Sequence, residues 1–419
     1  MNKKTIIGFI CIILLLCGSN LVIYRKMNAI ESEKQGEIDQ LKGTIDQLNG
    51  TIDHLSGTID YLNGAIEPLK EKVEKNYDSG WNTAEIVLPS KIVYCPEKTL
   101  DIYYDNVILG MKADLANDCY MDSWEFKSMK RFARMDLNYC KWIDTNMVVN
   151  IGKNQNLSKS FTLAMVDKEK QVNDGKRILF IGDSITQDAR YVQEVYNLFR
   201  RENVSINLLG TRGNGYVHEG REGWSAYNYC HDKTYLDMEN AFYNENADED
   251  SYFDFTYYMT NNHYEGVDDV FINLGINDVN GYDNSETLKC YANMITSIKE
   301  YDPEIKIFVG LCILPAEYSY GTGNTANEQN KFNRLELIKE LIEIYDDSED
   351  EGIFVVPYYI CIDTENDWDT EEQPLSSRNN DLVDYVTDEY STHPGQSGHN
   401  KLADMTYTYI RYAEDMKER

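Results

Sequence analysis

The sequence predicts an α/β protein whose largest domain has a parallel sheet covered by helices, preceded by a membrane anchor, a helical stalk and a small β-domain. Three observations predict this arrangement. Strand-like runs alternate with helical patterns after residue 175, a seven-residue repeat occupies 36–70, and an almost wholly apolar stretch lies near the amino terminus. Strand-helix alternation is typical of parallel sheets, whose strands are buried on both faces.

Residues 1–27 are predicted to form a transmembrane anchor. Residues 5–24 are almost wholly apolar and lie between two pairs of basic residues, and a helix of that length crosses a bilayer core of ~30 Å. The alternative is a cleaved signal peptide, although the segment is long for one and has no clear cleavage motif. We therefore expect a single-pass protein of the cell membrane with an extracellular catalytic domain, or a secreted protein after signal cleavage.

Residues 28–75 are predicted to form a coiled-coil stalk. Isoleucine recurs every seven residues from Ile38 to Ile66, and leucine follows three positions after each, from Leu41 to Leu69. This pairing is typical of a parallel two-stranded coiled coil, so we expect a homodimer. Glycine recurs at an outward position and costs a lone helix about 1 kcal/mol each relative to alanine. A partly disordered stalk is therefore the alternative.

Residues 80–172 are predicted to form a small accessory β-domain, similar to a β-sandwich. Short alternating runs are typical of antiparallel strands, and they occur at 85–89, 91–94, 99–104, 107–109, 147–151 and 160–166. We expect this domain to serve as a spacer or to bind carbohydrate.

Residues 175–419 contain the predicted parallel sheet. Its strand-like runs lie at 178–181, 206–209, 270–274, 305–311 and 353–359, and helices are predicted at 187–201, 285–301 and 328–345. About 240 residues is an ordinary size for one domain of this class.

The first of these runs ends at a serine placed for chemistry. The strand stops at Gly182, and the helical pattern begins after Asp183 and Ser184. Backbone N–H groups and the positive end of a helix dipole favour developing negative charge at such a junction. Because Gly-Asp-Ser is also an ordinary turn and helix cap, it is informative only together with distant partners.

Three other segments supply partners suited to acyl transfer. Asn277 follows the strand run 270–274, where its amide can donate to an oxyanion. His393 lies on the loop before the last helical pattern, and histidine is the usual proton acceptor for serine. Gly223, in the loop 218–224, offers a backbone N–H that a substrate can approach closely.

Together these residues resemble the SGNH hydrolases, also called the GDSL esterase/lipase family, over 176–412. The motifs that carry the resemblance are Gly182-Asp183-Ser184, the glycine loop, Gly275-Ile276-Asn277-Asp278, and His393-Pro394 with Gly398-His399. The resemblance implies a flavodoxin-like three-layer α/β/α fold and an ester hydrolase that requires no metal or organic cofactor. It makes Ser184 the nucleophile and His393 the base. The Ser184 N–H, the Gly223 N–H and the Asn277 side chain then form the oxyanion hole.

Two positions near this site are less well defined. The family usually has an aspartate three residues before the histidine, where this chain has Tyr390. Asp388 is the candidate acid, and a Ser-His dyad is the alternative. Trp224, beside the glycine loop, is a candidate for stacking on a sugar ring, although core packing is the commoner role of such residues. Asp183 and Asp278 are expected to hold turns or cap helices.

Composition excludes some partners. A net charge of -31 argues against nucleic-acid binding, because a phosphate backbone would be repelled. The acidic runs 346–351 and 363–372 are expected to be solvated loops. The cysteines outside the anchor have no spacing typical of a disulfide framework.

We expect a cell-surface serine esterase that removes acyl groups, O-acetyl first among them, from carbohydrate. That substrate class follows from the resemblance and the predicted location alone. Two alternatives stay open: a binding or adhesion module on a degenerate hydrolase fold, and a lipase or thioesterase. A lid rich in exposed apolar residues would favour a lipase, but 252–264 and 319–330 are polar and aromatic.

Overall fold

The structure, a computed structural model, describes Lys42 and residues 84–110, 116–123, 125–135, 143–151, 155–167, 172–247, 250–316, 324–376, 378–386 and 392–416. The predicted anchor (1–27) and stalk (28–75) lie outside these residues, Lys42 excepted. The chain divides into two compact units, Met1–Ser79 and Gly80–Arg419, of which the second contains almost all described residues. Within the described ranges, no helix has the length and apolar character that crossing a membrane requires.

The amino-terminal part of the second unit is built from short strands. They are β1 (Glu85–Ile86), β2 (Lys91–Tyr94), β3 (Asp101–Tyr103), β4 (Ile108–Leu109), β5 (Ala116–Met121), β6 (Phe126–Ser128), β7 (Phe132–Met135), β8 (Ile143–Ile151) and β9 (Gln155–Met165). They form sheets in the orders β2-β9-β8-β5, β3-β7-β6 and β1-β4. All pairs are antiparallel except β2 with β9. Each predicted run overlaps a strand, and β5, β6 and β7 are additional.

This β-rich part packs directly on the rest of the unit. The Asn106 amide is buried and donates to the backbone carbonyls of Tyr359 and Ile362, each at 2.7 Å. The backbone N–H of Val93 donates to the Tyr409 hydroxyl at 3.4 Å. Buried polar contacts of this kind fix the two parts against each other. The domain boundary at 172–175 and the spacer or carbohydrate-binding role stay predictions.

The carboxyl-terminal part alternates strands and helices. Its elements are β10 (Lys176–Gly182), α1 (Ser184–Asp188), α2 (Arg190–Arg201), β11 (Ile206–Leu209), β12 (Glu219–Gly220), α3 (Ala226–His231), β13 (Thr234–Tyr235), β14 (Met238–Glu239), α4 (Phe255–Asn261), β15 (Asp269–Asn273), α5 (Asp278–Gly281), α6 (Asn284–Tyr301), β16 (Lys306–Gly310), α7 (Asn324–Tyr345), β17 (Ile353–Val356), β18 (Thr370–Ser376), β19 (Asn379–Val386) and α8 (Gln396–Met416).

The predicted parallel sheet is confirmed, with the order β11-β10-β15-β16-β17 and β12 paired to the end of β10. Its register aligns four buried aromatic side chains across neighbouring strands, Phe180, Phe271, Phe308 and Phe354. Successive ring centroids are 4.9, 4.3 and 5.2 Å apart. Cross-strand aromatic pairs of this kind stabilise a sheet. Helices α2 and α8 pack together, and α6 packs with α3 and α4.

The helix predicted at 187–201 is broken in the structure. Ala189 has φ +64, a left-handed conformation that ends α1 after five residues and starts α2 at Arg190. The apolar pattern does not predict this break, because an alanine fits the helical spacing whatever its backbone conformation.

The prediction that 363–372 is a solvated acidic loop is wrong in part. Asp363 and Asp367 are buried. Arg131 binds the first at 2.9 Å, and Lys401 binds the second at 2.6 Å. Both cations come from distant parts of the chain, so the local sequence gives no sign of them. The segment then enters the antiparallel hairpin of β18 and β19, which the sequence analysis did not predict.

Candidate active site

Ser184 lies at the first position of α1, just after β10, which lies between β11 and β15 in the parallel sheet. Asp183 caps this helix, and its carboxylate accepts the backbone N–H of Ile185 at 2.9 Å. Gly182 ends the strand where no side chain fits, because a Cβ there would clash with Thr186 Oγ1 and lie 2.9 Å from the Asn273 carbonyl oxygen. The glycine therefore lets α1 pack closely on the end of the strand, which presents the serine at the carboxyl edge of the sheet.

His393 lies on the loop before α8, as predicted. Its Nε2 atom is 2.8 Å from Ser184 Oγ, although 209 residues separate the two along the chain. This distance is within hydrogen-bond reach for proton transfer between a hydroxyl and an imidazole. The structure thus brings together the two residues that the sequence analysis proposed as nucleophile and base.

Arg190, which the sequence analysis did not single out, connects the serine helix to the histidine loop. Its guanidinium binds both carboxylate oxygens of Asp188 at 2.8 Å and donates to the Pro394 carbonyl at 3.1 Å. On the other side of the loop, the Gly395 N–H donates to the Asp367 carbonyl at 2.8 Å. The residues that follow His393 are therefore held from two sides.

The glycine loop is fixed against β10 and α1. The Arg221 N–H donates to the Gly182 carbonyl at 2.9 Å, and the Glu222 N–H donates to the Gln187 side chain at 3.0 Å. Gly223 has φ +72, which favours glycine. A Cβ at Gly223 would also lie 2.7 Å from Leu236 Cδ1. Position 223 therefore suits a residue without a side chain, as the sequence analysis expected.

Asn277 lies beside the glycine loop. Its Nδ2 donates to the Trp224 carbonyl at 2.8 Å, which uses one of the two amide hydrogens. Asp278 adds a second link, because its carboxylate accepts the N–H groups of Ala226 and Gly275, each at 2.9 Å. These contacts fix the asparagine segment and the glycine loop relative to each other.

The two buried aspartates have structural roles, as expected. Burial raises the pKa of Asp183 to about 6, against the opposing effect of its backbone hydrogen bond. Burial raises the pKa of Asp278 to about 7, and the nearby Asp183 adds to this shift. Both carboxylates are thus costly to ionise in the folded state.

Trp224 does not face a substrate, and that prediction is wrong. Its side chain is 0% exposed, its ring packs against Tyr229, and its indole N–H donates to the Tyr235 carbonyl at 3.2 Å. The burial depends on the β13–β14 hairpin, which covers the tryptophan and which the sequence analysis did not predict. Tyr235 on that hairpin is 37% exposed instead.

The remaining predictions concern the acid member, His399, metal ligands and cysteines. Asp388 and Tyr390 lie outside the described residues, so the acid member stays a prediction. His399 is fully buried in α8, and burial lowers its pKa to about 4. Among the described residues, no group of three histidine, cysteine or acidic side chains is placed to hold a metal ion. Five of the described cysteines, Cys95, Cys230, Cys290, Cys312 and Cys361, are buried and form no disulfide.

The arrangement contains the parts that a nucleophilic acyl transfer needs. A hydroxyl is paired with an imidazole at a helix start, and a glycine N–H and an amide lie on adjoining segments. Such groups can generate an alkoxide-like nucleophile and stabilise an oxyanion without a metal.

Comparisons with known proteins agree with this geometry. A model of the GDSL-like lipase/acylhydrolase family matches residues 180–401, more than half of the chain. No curated protein matches the chain.

Solved structures with detectable likeness include a carbohydrate esterase family 3 protein from Talaromyces cellulolyticus. It is 18% identical with a TM-score of 0.37, and the match covers 57% of this chain and 99% of that one. A GDSL-like lipase from Bacteroides thetaiotaomicron is 16% identical, with a TM-score of 0.32 and coverage of 57% and 89%. A lipase/acylhydrolase from Enterococcus faecalis is 12% identical, with a TM-score of 0.35 and coverage of 57% and 96%. TM-scores this low carry no further argument.

Proposed function

This chain belongs to the GDSL-like lipase/acylhydrolase family and is therefore an ester hydrolase, and we propose that it is a serine esterase. The proposed reaction removes acyl groups, O-acetyl in particular, from carbohydrate at the cell surface. The observation that carries the serine mechanism is the 2.8 Å contact between Ser184 Oγ and His393 Nε2. Support for the surface location comes from the predicted anchor and stalk, and support for the carbohydrate substrate comes from the family resemblance together with that predicted location.

The proposed reaction has two steps. His393 takes the Ser184 proton as Oγ attacks the acyl carbon, and the oxyanion accepts the Ser184 N–H, the Gly223 N–H and the Asn277 amide. The C–O bond to the alcohol then breaks, and His393 returns the proton to the departing oxygen. Water, deprotonated by the same imidazole, attacks the acyl-serine and releases the carboxylic acid and Ser184.

Asp388 is the proposed acid behind His393, and a Ser-His dyad is the alternative. The two differ in the expected cost of substitution. In a dyad, Asp388→Asn lowers kcat far less than His393→Ala, whereas losses of similar size indicate a full triad.

The experiment is hydrolysis of p-nitrophenyl acetate by the purified full chain and by Ser184→Ala, with acetate release from acetylated cell-wall and plant polysaccharides as the second readout. Ser205→Ala is the matched control, because Ser205 is an exposed serine that precedes β11, at the opposite end of the sheet. We expect Ser184→Ala to abolish both activities and Ser205→Ala to retain them. Equal rates in the parent and Ser184→Ala would reject the proposal and leave the binding-module alternative.

The proposed assembly is a membrane-attached homodimer, with residues 1–27 as the anchor and 28–75 as the paired stalk. Sedimentation of the chain with and without residues 36–70 tests the pairing. A monomer in both cases would contradict the coiled coil.

A further inference from the structure

A β-hairpin beside the proposed oxyanion hole carries an exposed leucine at its tip. β13 and β14 pair with Tyr235 opposite Met238, which leaves Leu236 and Asp237 as the two turn residues. Leu236 is 57% exposed, and Tyr235 is 37% exposed. A single exposed leucine is ordinary by itself, so its backbone conformation and its position decide whether it has a role.

The turn is also strained. Leu236 has φ +48 and Asp237 has φ +59. Two consecutive positive φ values define the turn type that strongly prefers Asn-Gly, and a bulky residue in this region is an outlier. Backbone strain of this kind clusters at ligand-binding sites, where the surrounding contacts maintain it.

Three contacts hold the hairpin in place. The Trp224 indole donates to the Tyr235 carbonyl at 3.2 Å, and the Arg221 Nε donates to the Glu239 carbonyl at 2.8 Å. The Asn240 N–H closes the base by donating to the Lys233 carbonyl at 3.0 Å. Because Arg221 and Trp224 flank Gly223, the glycine loop itself sets the position of the hairpin.

Leu236 lies directly against this loop. A Cβ on Gly223 would be 2.7 Å from Leu236 Cδ1, so the leucine methyl is in contact with the glycine Cα. An ester carbonyl oxygen bound by the Gly223 N–H lies about 3 Å from that nitrogen. The Leu236 side chain therefore lies close to the position proposed for the reacting carbonyl, on a hairpin whose backbone is anchored to the glycine loop.

We propose that the β13–β14 hairpin forms the wall of the acyl-binding side of the cleft and that Leu236 limits the length of the acyl group. The inference rests on the proposed function and adds the residue that determines which acyl lengths are accepted. The side chain of Leu236 is hydrocarbon only, which suits the acyl group rather than a hydroxylated alcohol. An acyl chain that runs towards the hairpin beyond a few carbons meets this side chain.

The test is kcat/KM for p-nitrophenyl acetate, butyrate, hexanoate and octanoate, measured for the full chain and Leu236→Gly. Glycine removes the side chain and adopts positive φ without strain, so the thermal midpoint is expected to stay equal or rise. Leu236→Asn is the second variant, because asparagine tolerates this backbone without the extra freedom of glycine. Ile344→Ala is the matched control, since Ile344 is an exposed aliphatic residue (49%) on α7, outside the proposed site.

Leu236→Gly is expected to raise the ratio of kcat/KM for hexanoate to that for acetate by about 10-fold or more. Leu236→Asn, whose side chain has nearly the size of leucine, and Ile344→Ala are expected to leave the ratio within about twofold of the parent. An unchanged or lower ratio in Leu236→Gly, or an equal rise in Leu236→Asn, overturns the inference while leaving the esterase intact. Absence of Ser184-dependent hydrolysis in the parent chain overturns the proposed function and the inference with it.

Discussion

Replacing Arg221 by methionine is expected to destabilise this protein by about 5 kcal/mol, which makes the variant a strict test of how the glycine loop is held. The Arg221 and Glu219 side chains are 2% and 0% exposed, and their charged atoms are 2.9 Å apart. Glu219 Oε1 accepts the Thr211 N–H at 2.6 Å and the Tyr258 hydroxyl at 2.9 Å.

The magnitude follows from what the substitution leaves behind. Removing one partner of a buried ion pair costs about 3–5 kcal/mol, because the other charge stays buried without compensation. Arg221 also donates to the Glu239 carbonyl at 2.8 Å, the Glu219 carbonyl at 3.1 Å and the Tyr229 hydroxyl at 3.3 Å. Losing these hydrogen bonds adds about 1 kcal/mol or more. In the double variant Glu219→Gln, Arg221→Met no charge is buried, and the glutamine oxygen can still accept a donor. That variant is expected to recover at least ~2 kcal/mol.

The assay is urea unfolding at constant pH, followed by fluorescence. Arg177→Met is the matched control, since Arg177 also binds an aspartate, Asp268, at 2.8 Å, but the pair is 36% and 34% exposed. Exposed pairs contribute at most about 1 kcal/mol. The reasoning is refuted if Arg221→Met loses no more than Arg177→Met, or if the double variant is as unstable as Arg221→Met.

Two further substitutions test the site. Arg190→Ala is expected to lower kcat by about 10- to 100-fold with little change in KM, because His393 loses its support, and Arg190→Lys is expected to restore part of the loss. Michaelis kinetics on p-nitrophenyl acetate check this, and an equal loss in Arg177→Ala would contradict it. Asp278→Asn is expected to change the pH dependence of stability. The pKa of Asp278 is raised by burial to about 7, so its stabilising contribution is present below about pH 4 and lost as pH rises through 7. Relative to the asparagine variant, the parent should lose on the order of 4 kcal/mol of unfolding free energy between pH 4 and pH 7 in urea titrations. Parallel curves would contradict this.

The sequence predicted the reactive pair because each member ends or begins a regular element. Ser184 follows a buried strand, and His393 precedes a long amphipathic helix, so both patterns mark the residue at their boundary. The choice of Gly223 depends on the family resemblance, because the loop contains another glycine, Gly220, and no local pattern distinguishes the two. Strand positions in the parallel sheet followed from their apolar runs to within a few residues, since strands buried on both faces leave that pattern.

The wrong predictions have a common cause. In each case, the burial of the residue depends on contacts with other segments of the chain. Trp224 is buried by a hairpin of only two residues per strand, too short for alternation to be detected. The buried carboxylate of Asp363 is paired with Arg131, which lies more than two hundred residues earlier in the chain. Local composition predicts neither contact, because the residue type alone does not determine whether a polar or aromatic side chain is buried.

The break at Ala189 explains how one short segment positions both Ser184 and the loop that carries His393. If α1 continued past Asp188, the backbone of Arg190 would keep the direction of α1 and would not begin a new helix. The left-handed alanine instead starts a new helix, and from its first residue the Arg190 guanidinium reaches both Asp188 and the Pro394 carbonyl. The segment that presents Ser184 therefore also fixes the loop that carries His393, and the 2.8 Å contact between them follows from local geometry on both sides. Because a long covalent path separates the two residues, this local link, rather than the chain between them, determines their alignment.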